Sequence, residues 1–254
     1  DRGLGSLCFI DDSPYERENV RIQLPDVFVP EMPGDPTTWA EFLLKLPCLS
    51  YLNLIKEDLK KVEQYRVRTS LKQEESRFDS KEDFLKNLEM KLHFHDYESQ
   101  FQQRTLQLLS KTNQFNLTTK RYNERDLLQL QEQGSIIIPI GLEDKFSQHE
   151  IIGVAILRFS EEMDRFVILD SFLLSCRVLG RAVETGILSW VCQYVHSLGY
   201  TQLSGIFNKT DRNQPVSQFY SDHGFSGTEK EGYSLNLEEN LVSMPQFFKC
   251  ICHI

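Results

Sequence analysis

Between Ile136 and Leu174 the chain carries three β-rich apolar runs, Ile136–Ile140, Gly153–Phe159 and Phe166–Leu174, and a long helical stretch follows from Gly180 to about Leu198. Runs this apolar read as strands that need cover, and a long helix directly after them can supply it. The flanking sequence fits the same plan. Met90–Phe94 alternates like a strand, Ser99–Lys111 and Asn123–Gln133 read as helices, and Leu203–Phe207 reads as a further strand. Pro215–Asp222 reads as a short helix before His223-Gly224, and the remaining C-terminal sequence has mixed patterning. The pattern predicts an α+β domain over residues 84–254.

The first fifty residues follow a different rhythm. Leu7-Cys8-Phe9-Ile10 reads as a buried-type strand, and Ser13-Pro14 opens a helix that runs to about Gln23. Proline suits the first helical position, and Glu16 suits the first turn. Val27–Val29 is a second short strand, and Thr38–Leu46 is helical again. Strand, helix, strand, helix is α/β order, but two strands cannot build a doubly wound sheet. The expectation is an α/β remnant over residues 1–50, the C-terminal part of a larger domain. From 51 to 83 the sequence turns charged, with Leu54, Leu59, Val62 and Tyr65 supplying a thin apolar stripe, and predicts a solvated helical linker.

Composition narrows the possible partners. Across 254 residues, 28 Lys+Arg against 37 Asp+Glu give a net charge of −9, the wrong sign for a nucleic-acid backbone. The longest clean apolar run, Ile136–Ile140, is far short of the ~20 residues that cross a membrane. The N-terminus lacks the basic, apolar and small-residue order of a signal peptide. Six scattered cysteines suit reduced, buried thiols rather than a disulfide scaffold. The expectation is a soluble, cytoplasmic chain that binds neither nucleic acid nor membrane. Cys250-Ile-Cys252-His253 imitates a metal clip, but two thiolates and an imidazole without a second cluster are a weak zinc signature.

Three constellations can carry chemistry. Asp11-Asp12, at the carboxyl end of the opening strand, suits Mg²⁺, which takes one or two carboxylates and keeps water or phosphate oxygens. The same residues also suit capping of the next helix. Ser175-Cys176-Arg177-Val178-Leu179-Gly180-Arg181-Ala182 joins the strongest strand to the longest helix. Gly180 and Ala182 permit close approach of a ligand, helix-start amides attract a pyrophosphate, and Arg177 and Arg181 add positive charge. Cys176 at the mouth of that site is a candidate nucleophile, its thiolate favoured by the same groups. The alternative is a strand-end cysteine beside two salt-bridged arginines. The third constellation is Lys111–Thr119, where Asn113, Gln114, Asn116 and Thr118 either bind one another in a turn or read a hydroxylated ligand. Lys111, Lys120, Arg121 and Arg125 make a basic spot on an acidic chain. Of the histidines, His93 and His95 share a strand face, His196 lies in the long helix, and His149 and His223 fall at loops. Each reads as structural before it reads as a base.

These residues carry a resemblance. Phe9-Ile10-Asp11-Asp12-Ser13-Pro14 with Glu16-Arg17 resembles the last acidic motif of haloacid-dehalogenase-type (HAD-like) phosphatases. Thr112–Thr119 and Phe172–Arg181 resemble the FkbH-like family, which joins such a phosphatase domain to one of the GCN5-related (GNAT) acyltransferase fold. Arg177-x-x-Gly180-x-Ala182 is similar to the coenzyme-A pyrophosphate loop of that fold. Pro215 through Tyr220 and Gly224-Phe225 are similar to its late helix, where a tyrosine protonates the leaving thiolate.

The resemblance implies a loader that takes a three-carbon unit from 1,3-bisphosphoglycerate and holds it as a thioester. It then removes the remaining phosphate and passes the glyceryl group to an acyl carrier protein in polyketide-type biosynthesis. On this chain it implies Cys176 as acyl acceptor and Tyr220 as acid. Arg177, Gly180, Arg181 and Ala182 would hold the phosphopantetheine or coenzyme A arm, with Asp11 and Asp12 holding Mg²⁺. The phosphatase family also needs an Asp-x-Asp motif, and none occurs in the sequence. These residues alone are therefore not expected to hydrolyse phosphate, and the expectation is a chain whose front part lies upstream. Two other readings stand beside the loader: an N-acyltransferase using acyl-coenzyme A without a covalent intermediate, and a non-catalytic module docking an acidic carrier through its basic spot.

Overall fold

The structure is a computed structural model and describes residues 3–49, 70–71, 73–160 and 166–254. The linker predicted over 51–83 lies largely outside the described residues. The chain divides into two compact units, residues 1–63 and 64–254.

In the first unit, Ser13 caps helix α1 (Pro14–Gln23) by accepting from the Glu16 amide, with Pro14 at the first helical position. Helix α2 spans Trp39–Lys45. The expected opening strand is reduced to one parallel bridge, Cys8 to Phe28, and Leu7 and Ile10 are exposed. An isolated bridge with apolar residues facing water is not the buried strand that the Leu7–Ile10 run predicts.

The second unit is built on one mixed sheet. Its strands are β1 (Met90–His95), β2 (Phe115–Asn116), β3 (Ile136–Asp144), β4 (Ser147–Phe159), β5 (Phe166–Leu174), β6 (Gln202–Gly205), β7 (Ser226–Thr228), β8 (Gly232–Asn236) and β9 (Phe248–His253). The order is β7-β8-β6-β5-β4-β3-β1-β9, with β2 paired to β5. The β5–β6 and β1–β9 pairs are parallel, and the other pairs are antiparallel. The three apolar runs of the sequence are the centre of this sheet. The polar stretch between the first two continues both strands into a hairpin, because β3 runs on to Asp144 and β4 begins at Ser147.

Two apolar layers cover the sheet. Helix α3 (Lys81–Asn87) buries Phe84 and Leu85 in the larger one. Helix α4 (Ser99–Lys111) presents Phe101, Thr105, Leu108 and Leu109 at helical spacing. With helix α5 (Glu124–Glu132), which opens on an Asn123–Asp126 capping box, it packs a cluster that includes Ile137, Ile151, Val154, Ile156 and Leu173. Helix α6 (Val183–Ser197) is apolar nearly all round, and its Trp190 stacks on Phe94 of β1 with ring centroids 3.8 Å apart. Helix α7 (Phe219–Asp222) is a single turn after a 3-10 turn at Gln214–Val216. No helix among the described residues is long and apolar enough to cross a membrane.

Candidate functional site

The site forms where the two central parallel strands part. β5 pairs with β6 only from Phe166 to Leu169, opposite Gln202 to Gly205, and then runs on alone on that side to Leu174. The backbone edge left open is taken by β2, in which Phe115 faces Leu174 and Asn116 faces Leu173. The Leu117 amide then donates to the Phe172 carbonyl at 3.1 Å. On the other flank the Asn208 amide donates to the Leu117 carbonyl at 2.8 Å. The Asn213 side-chain amide donates to the Asn116 carbonyl at 2.9 Å. Residues 115–118 therefore fill the wedge between β5 and the chain that follows β6.

That wedge explains the amide-rich run. Asn116 is buried, and its side chain donates to the Thr112 carbonyl and accepts from the Thr119 amide. The buried Thr118 hydroxyl lies 3.4 Å from that of Ser171. Asn113 accepts from Arg121, and Gln114 is exposed. Most of these polar groups are spent inside the protein, because a strand inserted this deeply must satisfy its own side chains. The basic spot is also partly consumed. Lys120 lies 2.7 Å from the buried Asp170, which also accepts from Tyr122 at 2.6 Å. Arg121 donates to the Leu109 carbonyl, and Lys111 and Arg125 are exposed.

At the end of β5 the Ser175 amide still donates to β4, to the Ile152 carbonyl at 2.7 Å. The next residue, Cys176, is exposed. Arg177 turns back from it and makes a two-pronged ion pair with Glu150, at 2.9 and 3.0 Å. Arg181 pairs at 2.8 Å with Asp144, whose side chain is fully buried. The positive charge that the sequence places beside Cys176 is thus balanced by two carboxylates of the β3–β4 hairpin. Gly180 and Ala182 have φ of 84° and 56°, so the loop kinks twice before α6 begins at Val183. Ala182 offers the helix no side-chain cap, and the first-turn amides of α6 keep the open donors of any helix start. Glu184 in that turn has a buried carboxylate oxygen, Oε2, without a hydrogen-bond partner among the described residues. Sequence reasoning passed over Glu184, whose one signal is an acidic residue in a first turn.

Tyr220 sits deep in the core. Its ring lies so close to Gly205 of β6 that a Cβ there would meet the phenol at 2.3 Å. Complete burial pushes its hydroxyl above the usual tyrosine range, which keeps the proton on but makes it harder to give away. His223 is locked on both nitrogens, Nδ1 to the Phe219 carbonyl and Nε2 to the Thr185 hydroxyl.

In the first unit, one Asp11 oxygen accepts from the Ser13 amide at 2.8 Å, and Arg17 donates to the carbonyls of Asp11 and Asp12. Asp12 is exposed. Asp11 thus fastens Ser13, the residue that caps α1, and no group of three metal-ligating side chains among the described residues includes Asp11 or Asp12.

One group of ligand-bearing side chains does converge among the described residues. His93 and His95 point from one face of β1, and His253 lies opposite His95 on β9. One ring nitrogen from each lies within 4.8 Å of the other two. His149 joins from β4, because Gly141 on β3 leaves its ring room: a Cβ there would sit 2.2 Å from His149 Nε2. Burial depresses His93, His95 and His149 below the usual imidazole range, His95 to about 4, with the neighbouring imidazoles adding to the effect. Cys250 and Cys252 fall at the alternate positions of β9, opposite Leu92 and Phe94, so the clip suggested by the C-terminal sequence is split across the strand.

No protein-family model matches the chain, and no curated protein matches it. Solved structures do. A GNAT-family acetyltransferase from Staphylococcus aureus Mu50 is similar over 57% of this chain and 99% of its own, at 12% identity and a TM-score of 0.42. A Vibrio cholerae spermidine N-acetyltransferase in complex with CoA and spermine is similar over 58% and 96%, at 12% identity and a TM-score of 0.44. A domain from Methanocaldococcus jannaschii is similar over 58% and 99%, at 12% identity and a TM-score of 0.45.

Proposed function

We propose that the chain is an acyltransferase that accepts an acyl group from a thioester carrier onto Cys176. The observation that carries this reading is the placement of an exposed thiol just past the end of β5, beyond the stretch where that strand has parted from β6, and directly before a twice-kinked loop and a helix start without a side-chain cap. A thiol there is reachable by a flexible arm, and open helix-start amides suit an anionic group on that arm. In the transfer, Cys176 sulfur attacks the thioester carbonyl, the C–S bond to the carrier breaks, and the Cys176 proton ends on the departing thiol. A phosphopantetheine or coenzyme A arm is the carrier chemistry this reading takes. In the finer reading the carrier is the acceptor: a three-carbon unit from 1,3-bisphosphoglycerate is held on Cys176 and passed to the thiol of an acyl carrier protein, and this rests on the resemblance of residues 112–119 and 172–181.

The test is intact-mass measurement after incubation with acyl-coenzyme A, and separately with an acyl-loaded carrier protein. The expected result is one acyl adduct per chain, lost in Cys176→Ala and in Cys176→Ser. An equal adduct in both variants overturns the assignment. Acylation of an added amine by Cys176→Ala at the wild-type rate would favour direct N-acyl transfer from coenzyme A.

A further inference from the structure

We propose that His93, His95 and His253, with His149 beside them, form a binding site for a divalent transition metal of the zinc type, with Glu143 as its outer carboxylate. The strand register builds the site. Residues two apart on β1 share a face, which sets His93 and His95 side by side, and the parallel pairing places His253 directly across from His95. The rings of His93, His95 and His253 lie nearly parallel, with interplanar angles of 5°, 5° and 1°.

Two of the nitrogen contacts approach the spacing of a coordination shell. His93 Nδ1 lies 3.2 Å from His253 Nε2, and His95 Nε2 lies 3.0 Å from His149 Nε2. Four nitrogens bound tetrahedrally to zinc at 2.0–2.1 Å stand about 3.3–3.4 Å apart, so these contacts are near the edge length of such a tetrahedron. The other nitrogen of His93 supplies an independent sign. His93 Nε2 is buried without a well-formed hydrogen bond and lies 3.5 Å from a Glu143 oxygen. A carboxylate behind the second nitrogen of a histidine is the arrangement that orients a metal ligand, leaving Nδ1 to face the metal.

Access and ligand type agree with the assignment. A surface cleft along the β3–β4 hairpin, lined from Glu143 to His149, opens beside the cluster. An all-imidazole set favours zinc, copper or nickel over magnesium or calcium. A bound ion would tie the edge strand β9, which pairs only with β1, to the interior of the sheet. The site shares no residue with the Cys176 loop, and its test does not depend on the acyltransferase reading.

The test uses untagged, full-length, metal-stripped protein titrated with Zn²⁺ by calorimetry, and with Co²⁺ followed by visible absorption. The expected result is one Zn²⁺ per chain, a tetrahedral Co²⁺ spectrum, and a higher melting temperature with Zn²⁺. His95→Ala and His253→Ala should each weaken Zn²⁺ binding at least tenfold and abolish the melting shift. His253 is exposed, so that variant keeps the fold readable. His196→Gln and the double change Cys250→Ser, Cys252→Ser should leave binding unchanged. Absence of Zn²⁺ binding by the wild-type chain, or binding that survives both histidine variants, overturns the proposal. So does binding that disappears with the cysteines.

Discussion

Where the β3–β4 hairpin meets the loop after β5, arginines and carboxylates pair: Arg177 and, more loosely, Arg104 with Glu150, and Arg181 with Asp144. Where the sheet continues to β1 and β9, four imidazoles crowd together, and one carboxylate, Glu143, stands behind His93 while holding Lys91 at 2.7 Å. The difference separates two kinds of polar cluster. The first is closed by ion pairs that fix the shape of a loop, with an exposed cysteine beside it. The second brings imidazole nitrogens into mutual contact and leaves His93 Nε2 without a well-formed hydrogen bond, and that arrangement is what a metal ion would use.

If ion pairs close the first cluster, removing one member should be costly. Asp144→Ala leaves Arg181 buried without its partner and should cost about 3–5 kcal/mol in urea unfolding. A loss under about 1 kcal/mol would mean that Arg181 reaches water or another acceptor, and the contrast would fail.

Asp170 carries the same logic into pH. Burial pushes its carboxyl up, but hydrogen bonds from Lys120 and Tyr122, with the charges of Lys120 and Arg158, hold it below the ordinary range. The folded state therefore binds this proton less readily than the unfolded chain. Its contribution is present above the ordinary carboxylate value and is lost as pH falls through the lower folded value. Urea midpoints measured from neutral pH downward should fall more steeply for the wild type than for Asp170→Asn. Equal slopes would contradict the assignment.

On the histidine side, Gly141→Ala places a methyl where the His149 ring lies. It should cost about 1 kcal/mol, the low end for overpacking because the exposed His149 ring can yield toward water, read as a drop in urea midpoint. A neutral result would show that His149 swings away freely and is not held at the cluster. The smallest effect belongs to Tyr220→Phe. Removing a buried hydroxyl without a well-formed partner should shift stability by no more than about 1 kcal/mol. Turnover then decides whether that hydroxyl acts as an acid: an unchanged rate would leave Tyr220 as a core ring alone.

The sequence exposed the local elements and concealed those made by distant pairing. Ser99–Lys111 is a helix over the span its periodicity predicts, and Phe166–Leu174 is a strand over its whole apolar run. The long helix begins at Val183 rather than Gly180, because two left-handed residues delay it. β9 was hidden, since Phe248–His253 has no alternation clean enough to read and gains its strand from a partner far away in the chain. The same non-local pairing hid the histidine cluster. His93 and His95 were visible as neighbours, but nothing local links them to His149 or His253. At the cysteine loop the residue types were legible, whereas the pairing of both arginines depended on where Asp144 and Glu150 would land.

Peptide mapping of the acyl adduct tests the central claim most directly. Three thiols, Cys48, Cys176 and Cys252, are exposed and compete for any reactive thioester. After brief exposure to an acyl-loaded carrier protein, protease digestion and fragment mass measurement should find the acyl group on the peptide that holds Cys176, with Cys48 and Cys252 unmodified. Acyl groups spread evenly over the three exposed thiols, or absent from Cys176, would contradict it.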